Sequence, residues 1–197
     1  MATAWQPTLL GDGPPAFDAT LAGAVRHGLG AGAWYDLVVG WVRGADRLFA
    51  DVVAAAPWAS HERPMYDRVV MEPRLTTGRW ADPPDPLPAM GEALSRRYGR
   101  DLHVVSANLY RDGHDSVAWH GDRVARDRAE AVVAIVSLGS PRRFLLRPRG
   151  GGRSVRLTPG LGDLLVLGGT CQRTWQHSVP KCAAAGPRVS LMFREEY

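Results

Sequence analysis

Hydrophobic residues occur in short runs through the second half of the chain, and turns rich in glycine and proline separate these runs. Short apolar segments joined by tight turns are typical of a β-sandwich or a jelly roll. The pattern therefore predicts a mainly β core. Its strands are expected at residues 102–110, 131–139, 143–148, 154–158, 162–169 and 188–194.

Two segments of the first half instead place apolar residues at helical spacing. Within residues 44–58, Leu48 and Val52 are four positions apart and share one helix face. Residues 86–99 repeat the pattern and end at Gly99, a residue type that favours a helix C-terminus. Helices should therefore flank the β core, which makes the expected fold class α+β.

The other segments of the first half have weaker patterns. Residues 21–32 predict a short helix, and residues 34–42 predict a strand with aromatic ends. We interpret residues 1–43 as an N-terminal extension packed on the core. Residues 60–88 are rich in proline and carry four arginines and two aromatic residues, and loops with basic and aromatic residues often determine specificity. A solvated connection is an equal alternative for this loop.

Length and composition fit a single domain, with helices and the loop in residues 44–100 and the β core in residues 101–197. The chain has 197 residues, of which 45% are hydrophobic, and this argues against disorder. No apolar run is long enough to span a membrane, so no membrane partner is expected. The N-terminus does not resemble a secretory signal, and the two cysteines form no CxxC pair. A reduced, cytoplasmic monomer is the simplest interpretation.

The charge balance is basic, with a formal net charge of +4, and Lys181 is the only lysine. Arginine suits phosphate recognition, so the balance fits a polyanionic partner. A codon bias would explain arginine in place of lysine but not the net positive charge. The arginines within residues 123–128 and 142–156 could follow a nucleic-acid strand or could lie on a solvated hairpin, and the sequence favours neither.

The motif with most chemical content is NLYRDGHDSVAWHGD, residues 108–122. Side chains two positions apart lie on the same face of an extended chain, so His120 and Asp122 should point into one space. His177 follows a later apolar run, and a jelly roll can bring it to the same place. Two histidines and one carboxylate are the ligands of a non-haem Fe(II) oxygenase. The HxD pair alone is a weak signal, because chance matches to it are common.

The last expected strand, residues 188–194, has two different faces. Val189, Leu191 and Phe193 form an apolar face that should meet a core layer. The opposite face carries Arg188, Ser190, Met192 and Arg194. If that face is buried, its cations need an anionic partner, and arginine can hold a dicarboxylate through two parallel hydrogen bonds. A solvent-exposed strand with surface arginines is the alternative.

Four segments together carry a family resemblance: residues 72–80, 108–122, 174–181 and 187–194. They resemble the AlkB-type family of Fe(II)/2-oxoglutarate-dependent dioxygenases, and most closely its branch that repairs alkylated nucleic acid. The resemblance covers residues 58–194. It implies a double-stranded β-helix, a jelly-roll variant, with helices outside and a nucleotide-recognition lid over its mouth.

The resemblance also implies roles for individual residues. His120, Asp122 and His177 would ligate Fe(II). Arg188 would hold the distal carboxylate of 2-oxoglutarate. Residues expected beside the cosubstrate or near the metal are Asn108, Tyr110 and Arg194.

The implied reaction uses O2 to convert 2-oxoglutarate to succinate and CO2 and to hydroxylate a C–H bond of the substrate. On an N-methylated base of DNA or RNA, the hydroxylated methyl group leaves as formaldehyde and the base is restored. A base must be flipped out or single-stranded to reach such a site. Family members stack the base between the first metal histidine and an aromatic residue of the lid.

The lid residues that we assign to the substrate are Trp80 first, Tyr66 second, and Arg74. Family members that repair nucleic acid usually have an acidic residue two positions after the metal aspartate, where this chain has Val124. Asp127 could replace it. This departure keeps two alternatives open. One is the same iron chemistry on a protein or a small molecule, and the other is a nucleic-acid-binding module without catalysis.

Overall fold

A computed structural model describes residues 13–65, 68–122 and 128–196. Its helices are α1 (Ala45–Ala55), α2 (Leu87–Tyr98) and α3 (Cys171–Thr174). Its strands are β1 (Ala16–Phe17), β2 (Val25–Gly30), β3 (Ala33–Val38), β4 (Val42–Arg43), β5 (Glu62–Met65), β6 (Arg68–Met71), β7 (Leu75–Thr76), β8 (Val104–Tyr110), β9 (Val117–His120), β10 (Val133–Gly139), β11 (Phe144–Pro148), β12 (Val155–Leu157), β13 (Leu164–Gly169), β14 (Trp175–Val179) and β15 (Arg188–Arg194).

The two predicted helices are confirmed, and each packs one face on the core. Helix α1 buries Leu48 and Val52. Helix α2 buries Met90 and Leu94, and it ends where Gly99 adopts a left-handed backbone conformation with φ 62°. Glycine reaches that conformation without the steric cost that a Cβ brings, so the helix stops there.

Two sheets face each other in the core. The major sheet has seven strands in the order β2-β3-β13-β10-β15-β8-β7, and the minor sheet has four in the order β12-β11-β14-β9. The named pairs within both sheets are antiparallel. The predicted jelly roll with flanking helices is therefore confirmed.

Alternation along the strands assigns each face of the major sheet to its own core. Val133 and Ile135 of β10 belong to the cluster between the two sheets, whereas Val136 and Leu138 belong to the cluster on the helix side. The helix-side cluster contains residues from α1 and α2. The molecule thus has three layers: helices, major sheet and minor sheet.

The predicted helix at residues 21–32 is wrong, because these residues include strand β2. Glycines at 23, 28, 30 and 32 weaken a helix, and β2 instead pairs with β3 at the edge of the major sheet. Strand β3 itself pairs with β13 over six residues. Strands β2 and β3 of the N-terminal segment are therefore part of the major sheet, whereas β1 and β4 form a separate two-stranded sheet.

The proline-rich segment contains more regular structure than its composition predicts. Strands β5 and β6 form an antiparallel hairpin, and β7 pairs with β8 at the end of the major sheet. The Asp85–Pro86 peptide bond immediately before α2 is cis. No helix in the parts of the chain that the structure describes is long and apolar enough to cross a membrane.

Candidate metal centre and cosubstrate cavity

The three residues expected to bind a metal converge between the sheets. His120 ends β9 and is paired across the minor sheet with His177 of β14, and Asp122 follows two residues after His120. Ligand atoms of the three side chains all lie within 4.8 Å of one another. Oδ1 of Asp122 is 3.9 Å from Nε2 of each histidine. A divalent cation would find two nitrogens and one carboxylate on one side of this space.

The hydrogen bond of His120 prepares its other nitrogen for a metal. Nδ1 of His120 is 2.8 Å from the carbonyl oxygen of Ala118. Since a carbonyl can only accept, Nδ1 carries the proton and Nε2 keeps its lone pair. Nε2 is the atom that faces Asp122.

His177 is held by burial. Its ring stacks on Phe144, with centroids 5.3 Å apart. Burial lowers the pKa of His177 to about 4, so the metal-free imidazole is neutral at pH 7. A neutral imidazole is the form that binds a metal.

Gln172 of α3 supports the metal loop, although no pattern in the sequence indicated this residue. The Asp122 N–H donates to Oε1 of Gln172 at 3.0 Å, and the Gln172 side chain is buried. A Cβ at Gly121 would lie 2.6 Å from the Gln172 carbonyl oxygen, so the loop approaches α3 too closely for a larger residue. The short helix α3 therefore positions Asp122 by contacting the backbone of the metal loop.

A cavity of about 440 Å³ opens above the three ligands. Arg74 lies on its wall and forms an ion pair with Glu72, 3.2 Å apart. Predicted residues on the wall are His120, Asp122, His177, Asn108, Tyr110, Arg194 and Arg74. Arg194 also donates a hydrogen bond to the Ser106 hydroxyl at 3.0 Å.

Arg188 is a buried cation on the inner face of β15. It is 1% exposed, and its Nη2 donates to the Ser137 hydroxyl at 3.0 Å while its Nη1 donates to Ser190. Burial lowers the pKa of Arg188 to about 10, although the nearby Tyr110 acts to raise this pKa. No carboxylate among the described residues pairs with this guanidinium, and its buried Nε has no hydrogen-bond partner. Such a group requires an anion.

The donor set therefore fits the cosubstrate as well as the metal. Two imidazole nitrogens and a carboxylate suit Fe(II), and the buried guanidinium with an unused N–H suits a carboxylate of 2-oxoglutarate. Ser137, which accepts a hydrogen bond from Arg188, helps to hold this guanidinium. It was not selected from sequence, although it is the polar residue within an otherwise apolar strand.

The expected stacking role of Trp80 does not agree with its position. Trp80 is 6% exposed and belongs to the helix-side cluster, on the opposite face of the major sheet from the cavity. Its backbone N–H donates to Val105 of β8 at 2.8 Å, which fixes it there. The sequence contains an aromatic residue at 80 but does not show which face of the sheet it covers. Tyr66, Val124 and Asp127 lie outside the described residues.

Cys171 lies close to the metal loop but does not extend the ligand set. Burial raises its pKa to about 12, with a smaller contribution from Asp122. The side chain is thus a neutral thiol at pH 7, and a thiol is a poor ligand and a poor nucleophile.

Comparison with known families agrees with this geometry. The sequence profile described as the 2OG-Fe(II) oxygenase superfamily matches residues 42–194. The chain belongs to the 2OG-Fe(II) oxygenase superfamily. The matched range includes the three candidate metal ligands and Arg188.

The curated relatives that this oxygenase resembles are AlkB-type proteins. It is 29% identical over 180 residues to human alpha-ketoglutarate-dependent dioxygenase alkB homolog 3, covering 79% of this chain and 63% of that protein. It is 32% identical over 149 residues to the Arabidopsis thaliana DNA oxidative demethylase ALKBH2, covering 61% of this chain and 46% of that protein. The chain thus spans less than two thirds of the length of these relatives.

Solved structures support the fold. OsALKBH1 superposes with a TM-score of 0.60 at 15% identity, covering 87% of this chain and 100% of that one. A prolyl-4-hydroxylase from Pseudomonas putida superposes with a TM-score of 0.54 at 16% identity, covering 83% and 93% of the two chains. At these identities the agreement concerns the fold alone.

Proposed function

We propose that this oxygenase removes alkyl groups from N-alkylated bases of DNA or RNA, with Fe(II), 2-oxoglutarate and O2, and releases succinate, CO2 and formaldehyde. The proposal rests on one observation above all. Three side chains suited to metal binding lie together in the cavity, and Arg188, which has no carboxylate partner among the described residues, is buried on the same strand as the cavity-lining Ser190. That arrangement matches a metal and a dicarboxylate bound side by side.

His120, Asp122 and His177 would hold Fe(II), and Arg188 would hold the carboxylate of 2-oxoglutarate that is remote from the metal. Bound iron supplies the oxidation of 2-oxoglutarate by O2 and, coupled to it, the hydroxylation of a substrate C–H bond. Asn108 and Tyr110 stand on the same face of β8 and would orient the cosubstrate from the major sheet. The apolar walls at Ile135 and Phe144 would exclude water around it.

Two observations favour a nucleic acid as the substrate. The curated relatives include a protein named DNA oxidative demethylase, and this chain is basic with a net charge of +4. Arg74 on the cavity wall is a polar group that could contact a nucleotide at the mouth. Because the Arg74 side chain is already paired with Glu72, it would contact a nucleotide through directional hydrogen bonds and not as an unpaired charge.

The test is product formation by the purified chain with Fe(II), 2-oxoglutarate and O2. Oligonucleotides containing 1-methyladenine or 3-methylcytosine would be compared with unmodified ones of the same sequence. His120→Ala and His177→Ala are the inactive controls, because each removes one metal ligand. We expect formaldehyde and succinate in equal amounts, dependent on the methyl group and absent in both variants.

Two other results would change the proposal. Succinate without methyl-dependent formaldehyde would keep the iron chemistry and assign it to a different substrate. Neither product from protein shown to contain iron would contradict the enzymatic proposal for these bases and leave a binding module.

A further inference from the structure

The positive charge of the chain is concentrated in one segment of its sequence. Residues 142–181 contain eight cationic residues and a single acidic one, Asp163. Asp163 accepts hydrogen bonds from the backbone N–H groups of Gly40 and Gly160, so it serves a turn. The cations are Arg142, Arg143, Arg147, Arg149, Arg153, Arg156, Arg173 and Lys181. The excess of cationic over acidic residues in this segment is larger than the net charge of +4 of the whole chain, so the rest of the chain has a net negative charge.

Strand alternation directs part of this charge to the outer face of the minor sheet. Phe144 and Leu146 of β11 are buried between the sheets, at 3% and 0% exposure. Leu145 and Arg147 therefore point to the other side, and Arg149 follows in the turn directly after β11. Arg156 is opposite Leu145 in the β11–β12 register and shares that side, where it is exposed. We call Trp119, Leu145, Arg147, Arg149 and Arg156 the β11 face.

Trp119 adds an aromatic ring to this face. The guanidinium of Arg147 lies 4.2 Å from the ring centroid of Trp119. Arg147 is in turn fixed by two hydrogen bonds to Oε1 of Gln176, at 3.0 and 3.1 Å. Trp119 also borders the cavity. The ring and its cation thus stand where the outer face meets the mouth.

Arg149 connects the face to the metal loop. Its backbone N–H donates to Thr174 at 2.8 Å, which continues the pairing of β11 with β14. Its Nη2 lies 2.6 Å from the position that a Cβ on Gly121 would occupy. Gly121 stands between two metal ligands, so a phosphate held by Arg149 would lie beside the entrance to the site.

These arginines differ from arginines elsewhere on the surface. On the helix side, Arg47 pairs with Asp51 and Arg96 pairs with Glu92. No carboxylate among the described residues pairs with Arg147, Arg149 or Arg156. Surface charge left without counter-charge, together with an aromatic ring, is the arrangement by which proteins bind single-stranded nucleic acid.

We propose that the β11 face binds the single-stranded segment next to the nucleotide that enters the cavity. Arg149 and Arg156 contact its phosphates, and Trp119 with Arg147 stacks on an adjacent unpaired base. A single strand fits better than a duplex because only an unpaired base exposes its ring face to stacking. The inference rests on the proposed function, since it assumes that a nucleic acid occupies the cavity.

The test is the binding of a fluorescein-labelled, unmodified 15-nucleotide DNA to the full chain with Mn(II) and 2-oxoglutarate, measured by anisotropy across a salt series. The double variant Arg149→Ala/Arg156→Ala should bind about tenfold more weakly. Its salt dependence should fall by about 1.4 in the slope of log K against log salt, because two phosphate contacts are lost. The matched control is Arg47→Ala/Arg96→Ala, which removes the same charge from the helix side and should bind as the native chain does.

Trp119→Ala should weaken binding roughly 5- to 100-fold, and Trp119→Phe should restore most of it, because stacking needs a ring and not an indole specifically. Circular dichroism would confirm that each variant is folded. Equal weakening by the two double variants would overturn the inference, as would an equal loss with a duplex of the same length. Since the DNA is unmodified, binding is measured even if demethylation fails, so the two proposals fail separately.

Discussion

The two faces of the major sheet differ although the same strands form them: one packs against the helices and the other lines the cavity. On the helix side, β8 and β15 present Val105, Leu109, Leu191 and Phe193 to an apolar cluster. On the cavity side they present Ser106, Asn108, Tyr110, Arg188, Ser190, Met192 and Arg194. Since side chains alternate with period two, a single strand can stabilise the fold with one set of residues and form a site with the other.

Stability and chemistry are therefore separable in this protein. Burial of the helix-side residues removes apolar surface from water and stabilises the fold. Burial of Arg188 has the opposite effect, because a desolvated cation without a carboxylate partner destabilises the metal-free protein. Binding of an anion would relieve that cost. Substitutions on the two faces should therefore have opposite signatures.

The largest effect is expected from Trp80→Ala, on the helix side. Removing this ring from the apolar cluster should lower the free energy of unfolding by about 3–5 kcal/mol, because it leaves a cavity. Denaturant unfolding would measure the loss. The affinity of the folded fraction for methylated oligonucleotide should not change. An unfolding free energy like that of the native chain, combined with weaker substrate binding, would return Trp80 to a substrate role.

Arg188→Met tests the cavity side. It should weaken 2-oxoglutarate binding by roughly 30- to 1,000-fold, since it removes a charged partner worth about 2–4 kcal/mol from a buried site. Stability should stay the same or rise, because the unpaired buried charge is gone. Titration with 2-oxoglutarate under anaerobic conditions, followed by tryptophan fluorescence, would give the affinity. A clear drop in melting temperature with unchanged affinity would reverse the assignment of the two faces.

Gln172→Ala extends the comparison to the metal end, where a side chain rather than a strand positions the ligand. We expect a loss of about 10- to 100-fold in Fe(II) or Mn(II) affinity, because the Asp122 N–H loses its acceptor. Gln172→Glu keeps an acceptor at this place and should retain more affinity than the alanine variant. Isothermal titration with Mn(II) is the measurement. Equal metal affinity in native chain and alanine variant would show that Gln172 only fills space.

The smallest effect should come from Asn108→Ala, also on the cavity side. Losing one neutral hydrogen-bonding group should raise the KM for 2-oxoglutarate by roughly two- to tenfold. Stability should change little, because the Asn108 amide has only the Met192 sulfur as a described partner, at 3.5 Å. Asn108→Asp provides a contrasting variant, since a carboxylate there should repel the cosubstrate and raise KM further. A KM equal to that of the native chain in both variants would remove Asn108 from the site.

Features that depend on local spacing could be predicted from the sequence alone. The two long helices, most strands of the core and the faces of β15 follow from apolar periodicity, which is a property of neighbouring residues. The pairing of His120 with Asp122 follows from their separation by two. In residues 21–32, where several glycines interrupt the apolar pattern, the predicted helix was wrong. Pairing with β3 determined the structure there.

Which distant residues share the cavity could be read only from the folded structure. His177 lies 57 residues beyond His120 in sequence, and the register of β14 on β9 brings them together. Trp80 illustrates the converse, because its sequence position near the lid does not reveal that the major sheet separates it from the cavity. Gln172 and Ser137 belong to the site through packing between elements. The physical reason is that periodicity specifies which side of a strand is apolar, whereas contacts between strands depend on the register and layering of the whole fold.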